Sequence, residues 1–359
     1  MKRLLTLLGA AALAINTSYL PYDTFLSYHY PSGLNVVIRQ EQSFSPLEKI
    51  ALDNLATMGF STLAINPTFY QHSLTSSFIE PLSESQWHYL DRLVDEAKKR
   101  GFSIILKPLL DTKTKESRTL LFPDSLDQWL LDYQRHFIAF ASFAEQKKLD
   151  GIVVGCELDS LLMGAPAVFE TTIQNITQHY SGTLYGASTF CSIEDLRFLK
   201  QWDQLPVDVI GVDFYPTIHN DSLASTKYGF YEPLYYLESI ARTIKKPFAV
   251  LEAGYRSIEG GNKRPFDWKK DGNVDTVLQR QSLHHLYRAA QQLHKKTPHF
   301  KGIVLWNTDG KKTFVDDILF PQHAYEKGYD VFSKSARTVI EEYNKQRYFF
   351  FLSTPYANQ

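Results

Sequence analysis

The chain has 359 residues, 44% hydrophobic and 21% charged, with a formal net charge of -1, so it can bury a large core and does not read as a disordered protein. The near-neutral balance offers no long-range pull toward nucleic acid or an anionic membrane surface, and neither is expected as a partner. Its length fits one barrel-sized domain or two ordinary ones.

In chain order, Lys2 and Arg3 precede the apolar run Leu4 to Ile15, which contains Ala12-Leu13-Ala14. This is the layout of a secretory signal peptide, so residues 1–20 are expected to be removed and the protein to be secreted or periplasmic. The run is too short to span a bilayer, and no later apolar run approaches that length.

From residue 34 onward a β-rich run followed by an amphipathic segment recurs eight times. The runs are LNVVI (34–38), FSTLAI (60–65), FSIILK (102–107), GIVVG (151–155), TLYGAS (183–188), DVIGVDF (208–214), FAVLE (248–252) and GIVLW (302–306). Helices are predicted near 45–57, 83–100, 127–148, 166–180, 192–204, 232–245, 275–296 and 333–345. Ser45-Pro46, Ala165-Pro166 and the capping-box spacing of Ser83 to Gln86 mark helix starts, and Gly59, Gly101 and Gly182 mark helix ends. Apolar strands alternating with helices mean a parallel sheet covered on both faces, and eight of them point to a single-domain α/β fold, a (β/α)8 TIM barrel over residues 21–345. Dinucleotide and phosphate-loop motifs are absent, so no cofactor is expected. Residues 346–359 form an apolar tail after the last helix.

In such a barrel the chemistry sits where strands end. The polar residues there are Arg39, Asn66, Lys107 and Asp111, Glu157, Asp213 and Tyr215, Glu252, and Trp306, Asn307 and Asp309. Glu157 and Glu252 each directly end an apolar run, where an unpaired acid would be costly without a task or a partner. They close the fourth and seventh runs, whose ends face each other across an eight-strand ring. Two glutamates converging there match the retaining glycosidase arrangement, with carboxyl groups about 5 to 5.5 Å apart, one attacking the sugar and one protonating the leaving oxygen.

These residues carry a resemblance to clan A of the glycoside hydrolases, and the local strings are similar to glycoside hydrolase family 113, whose characterised members are β-mannanases. The strings are INPTFYQ, LKPLLD, GCELDS, DFYP, EAGYRS followed by RPFDW, and LWNTDG, in barrel order. The resemblance implies an acid/base role for Glu157, a nucleophile role for Glu252, a hydrogen bond from Tyr215 to the nucleophile, and Trp306 as the floor beneath the attacked sugar. Cys156 departs from the pattern: many clan A enzymes carry there an asparagine that contacts the sugar 2-hydroxyl.

Other candidates keep two readings each. Lys107 and Asp111 either hydrogen-bond a sugar or pair with each other, and Asp213 is a substrate contact, a substitute catalytic carboxylate, or an acid held by backbone or arginine partners. Asn66 is a further polar group at a strand end facing the substrate. Tyr70 and Trp268 are sugar platforms or packed loop residues. Cys156 and Cys191 are a disulfide or two thiols. The histidines show no HxH at a strand end, so no metal is expected, and the glycines at 260–261 and 310 make a poor phosphate site. Asn-x-Ser/Thr sequons begin at Asn16, Asn175 and Asn220. The reading is a monomeric retaining glycoside hydrolase acting on a β-linked polysaccharide or oligosaccharide, foremost β-1,4-mannan. The alternatives are a β-glucan or β-galactan substrate, or an inactive glycan-binding barrel.

Overall fold

The computed structural model describes residues 32–38, 43–191, 196–218, 223–306, 313–320 and 327–345, all within one compact unit. The leader at 1–20, the tail at 346–359, Arg39, Asn307, Asp309, Gly310 and the sequons at Asn16 and Asn220 lie outside the described residues.

The eight apolar runs are eight strands. They are β1 (Ser32–Ile38), β2 (Thr62–Gln71), β4 (Ser103–Leu106), β6 (Gly151–Cys156), β7 (Thr183–Phe190), β8 (Val209–Phe214), β9 (Phe248–Glu252) and β10 (Phe300–Leu305). Each pairs in parallel with the next in chain order, and β10 returns to β1, so the sheet closes on itself as a (β/α)8 barrel. Closure leaves two apolar compartments. One lies between the sheet and the helices; the other, smaller, fills the barrel with Ala64, Ile105, Val153, Ala187, Ala249, Leu251 and Val304.

Two short strands extend the plan. β2 continues past the rim and there pairs with β3 (Ile79–Glu80), antiparallel, and with β5 (Leu109–Thr112), parallel. The switch from β4 to β5 falls at Lys107-Pro108, where proline has no N–H to continue a ladder. The result is a small sheet above the barrel mouth that carries Tyr70 and Asp111 as register partners. Trp129 ties it to α3 (Leu126–Lys147) by donating its indole N–H to Gln71 Oε1 at 2.8 Å.

The helices follow their start signals. α1 (Pro46–Thr57) and α2 (Glu84–Lys99) both begin with complete capping boxes, Ser45 with Glu48 and Ser83 with Gln86. Gly59 and Gly101 end them with φ of 86° and 79°, a left-handed turn that glycine adopts without strain. Three boundaries differ from the sequence reading. The segment predicted at 166–180 is preceded by a separate short helix, giving α4 (Asp159–Gly164) and α5 (Ala167–Ile176), because Pro166 cannot continue the first one. Gly182 caps nothing, since α5 stops at Ile176 and Thr177 closes it. α6 (Leu196–Gln204) is followed by α7 (Leu223–Ile244), which starts nine residues ahead of the predicted 232 and carries Pro233 inside it. α8 (Thr276–Lys296), α9 (Phe314–Leu319) and α10 (Ala336–Lys345) complete the described set. Among the described residues no helix is long and apolar enough to cross a membrane. Cys156 and Cys191 are thiols with no disulfide between them.

Candidate active site

Two irregularities in strand register aim the site. Along β6 and β7, Val153 pairs with Tyr185 but Gly155 with Gly186, so β6 carries one extra residue. Along β8 and β9, Val212 pairs with Val250 but Asp213 with Glu252, so β9 does the same. An extra residue reverses the in-out alternation beyond it and bends the strand, which is how bulges re-aim side chains at barrel rims. Past these bulges Cys156 faces the barrel interior among its apolar lining, and Glu252 stands beside Asp213.

The acid at the end of β9 is wired from several sides. Lys107, just past β4 and with 0% exposure, sends its ammonium to both Glu252 Oε1 and Asp213 Oδ1, the latter at 3.1 Å. Tyr215, directly after β8, donates its phenolic hydroxyl to Glu252 Oε2 at 2.9 Å. Asp213 accepts from the Cys156 thiol through its second oxygen at 3.4 Å. Asn66 on β2 is fully buried and donates to the Lys107 carbonyl at 3.3 Å.

The acid after β6 is held differently. Glu157 has φ of +55°, the left-handed region that costs a non-glycine residue energy, and its N–H donates to Ala187 O at 3.0 Å. Its side chain is 20% exposed, and its Oε2 lies 4.0 Å from Nε of Arg118, in the one-turn 3-10 segment Arg118–Leu120. Arg118 in turn pairs with Asp111 at 2.7 Å and directs Nη1 to the Cys156 sulfur at 3.8 Å. Contacts therefore run unbroken from Glu252 through Lys107, Asp213, Cys156 and Arg118 to Glu157.

Asp111, Glu157, Asp213 and Glu252 are four carboxyl groups facing two cations, Lys107 and Arg118. Burial, joined by the charges of Glu252 and Asp213, pushes Glu157 well above the carboxylate range, and Arg118 and Lys107 only partly oppose this. Asp213 is pushed up to about 7, chiefly by burial and then by Glu252. Burial works against the Lys107 ammonium, but Asp213 and Glu252 outweigh it and hold Lys107 charged. Burial, with Glu252 beside it, pushes the Tyr215 hydroxyl up, so it stays a donor. Burial does the same to the Cys156 thiol. The site thus sets Glu252 against a cation and a hydroxyl, and leaves Glu157 where burial and like charge favour its protonated form. Cys156, Asp213 and Glu252 bring ligand-type atoms within 4.8 Å of one another, but a metal ion there would have to displace the ammonium that already bonds both carboxylates.

The remaining candidates take these places. Lys107 and Asp111 do not pair with each other: Lys107 faces inward to Asp213 and Glu252, whereas Asp111 faces Arg118 from the rim sheet. Asp213 is held by a lysine and a thiol rather than by backbone or arginine. Trp306, at the end of β10, is half-buried and rests on the barrel's inner apolar cluster. Trp268, in the loop between β9 and α8, is 59% exposed with the Lys269 ammonium 5.0 Å from its ring centre, and Tyr70 is half-buried. Arg118 is the functional-looking group that the sequence reading passed over.

A closed parallel barrel whose ionisable groups gather at the carboxyl ends of its strands is a barrel enzyme in design. The chain belongs to glycoside hydrolase family 113, whose family model matches residues 39–334, and it is a glycoside hydrolase. Among solved structures it is similar to a family 113 β-1,4-mannanase solved as a complex, at 20% identity and TM-score 0.74 over 89% of this chain and 99% of that one. It is also similar to the β-mannanase AaManA from Alicyclobacillus acidocaldarius in complex with ManMIm, at 18% identity and TM-score 0.73 over 89% and 98%. A family 5 mannosidase from Rhizomucor miehei is more distant, with 13% identity and TM-score 0.59 over 88% and 94%. Comparison with curated protein sequences gives no match.

Proposed function

We propose that the protein hydrolyses β-1,4-linked mannan with retention of anomeric configuration, Glu252 acting as nucleophile and Glu157 as acid and base. One observation carries this reading: the two strand-end glutamates are held differently, Glu252 receiving the Lys107 ammonium and the Tyr215 hydroxyl, while Glu157 stands beside like charges with Arg118 at 4.0 Å. In the first step Glu252 forms an ester bond to the anomeric carbon, the glycosidic C–O bond breaks, and the Glu157 proton goes to the leaving oxygen. In the second, water attacks the anomeric carbon, Glu157 takes its proton, and the ester bond breaks to return Glu252 as a carboxylate. As Glu252 loses its charge to the ester, Lys107 remains matched by Asp213, so the cation is never stranded in the core.

Mannan as substrate is supported by the solved relatives, which are a β-1,4-mannanase, a β-mannanase and a mannosidase. Trp306 at the rim, Tyr70 in the rim sheet and Trp268 in the loop between β9 and α8 would give flat faces for sugar rings. A polymer substrate agrees with the export expected from the leader. Reducing-sugar release from mannan, glucomannan, β-glucan and galactan tests substrate and activity together. Release from mannan and glucomannan is the expected result; release from β-glucan or galactan alone would move the substrate, and none from any would leave a glycan-binding barrel.

A further inference from the structure

Arg118 sits in a polar loop between β5 and α3, yet its side chain is only 13% exposed. Its guanidinium divides three ways: Nη2 pairs with Asp111 at 2.7 Å, Nη1 points to the Cys156 sulfur at 3.8 Å, and Nε faces Glu157 Oε2 at 4.0 Å. Among the described residues this last contact is the one ion pair that Glu157 makes. Its length exceeds a hydrogen bond, so the charge acts on Glu157 while the carboxyl oxygens stay free to give and take a proton.

We propose that Arg118, anchored by Asp111, is the positioning residue of the Glu157 carboxyl group, steadying the carboxylate left when Glu157 gives up its proton and keeping it aimed for the water that follows. The inference rests on the acid/base reading of Glu157. The other charges facing Glu157 cannot serve. Glu252 from β9 and Asp213 from β8 repel a carboxylate, and Lys107 from beside β4 is committed to those two. Tyr215 donates to Glu252, and the Cys156 thiol donates to Asp213. Asp111 is the restraint: it draws the guanidinium back from Glu157, so both protonation states remain accessible.

The alkaline limb of kcat/KM against pH, read on a mannooligosaccharide, reports the free enzyme's acid and tests this. Arg118→Gln is expected to move the limb up by about one pH unit, the usual scale for losing one nearby opposite charge. Arg118→Lys keeps a charge and should leave the limb close to wild type. Asp111→Asn releases the guanidinium toward Glu157 and should move the limb down. Shifts of opposite sign in Arg118→Gln and Asp111→Asn support the assignment. A limb that stays in place in both, with activity merely lowered, makes Arg118 a structural residue and overturns it; if Arg118→Gln does not fold, an unmoved limb in Asp111→Asn overturns it alone. Glu157→Gln, assayed on an activated aryl mannoside, separates the two levels. If the limb survives there, the acid role of Glu157 has failed; if it vanishes there but ignores Arg118 and Asp111, only the present inference has.

Discussion

The two glutamates stand at equivalent places, one at the end of β9 and one just past β6, each following a bulge, yet the protein treats them in opposite ways. Glu252 is 4% exposed and receives a lysine and a tyrosine hydroxyl, while its neighbour Asp213 is fixed by the same lysine and a thiol. Glu157 has a left-handed backbone, one face open, and a guanidinium held at arm's length. A nucleophile must be charged and aimed before the substrate arrives, whereas a proton carrier must exist in two states in one turnover. Rigid wiring suits the first and loose Coulombic contact the second.

The largest test of this contrast is removal of either acid. Glu252→Gln and Glu157→Gln should each lower turnover on polysaccharide by about 10³-fold or more, because an amide can neither attack nor donate the proton. On an activated aryl mannoside Glu157→Gln should retain more of its first-step rate than Glu252→Gln, since a good leaving group needs little protonation. Equal losses on both substrates would erase the contrast.

Next in size is Lys107→Met. It leaves Asp213 and Glu252 buried together without their cation and should cost about 3 kcal/mol in denaturant unfolding at neutral pH, by the usual scale for a broken buried pair. The deficit should shrink as pH falls toward 7, because without the Lys107 ammonium Asp213 takes up its proton at a higher pH than in the wild type. A deficit independent of pH would mean that Lys107 packs rather than balances charge.

The sequence showed this architecture unevenly, for physical reasons. All eight barrel strands were legible because their faces are both buried and their apolar runs nearly continuous, and Glu157 and Glu252 stood out as acids ending such runs. The bulges that turn Cys156 and Glu252 toward the mouth leave no mark in a run such as FAVLE, since register is a property of two strands. Lys107 read as a rim cation because its partners, Asp213 and Glu252, lie 106 and 145 residues away. Arg118 had no signal at all: it is one basic residue in a loop that also holds Lys113 and Lys115. β3 and β5 were missed because each owes its pairing to the overhang of β2 rather than to its own pattern.

Smaller effects sharpen the contrast. Tyr215→Phe removes a neutral donor to a charged acceptor, a bond worth about 1.5 to 3 kcal/mol, and should lower kcat/KM by about 10- to 100-fold while leaving the alkaline limb of the pH profile in place. Asp213, pushed up to about 7, binds more protons folded than unfolded between about pH 4 and 7. Its contribution to stability therefore falls as pH rises through that window, and Asp213→Asn should flatten that part of the stability curve. Smallest of all, Trp268→Ala should raise KM on long chains and spare short ones; equal effects on both would make it loop packing rather than a distal sugar platform.

The proposed division between a wired nucleophile and a loosely held proton carrier is tested most directly by trapping the intermediate. Incubation with a 2-deoxy-2-fluoro-mannosyl fluoride slows both steps and lets the glycosyl-enzyme accumulate, so that digestion and mass spectrometry read which residue carries the sugar. One 2-deoxy-2-fluoromannosyl group on the peptide containing Glu252, absent in Glu252→Gln, is the predicted result. A sugar on Glu157 or Asp213 would contradict the account, as would an enzyme that turns the reagent over without a covalent adduct and releases the inverted anomer.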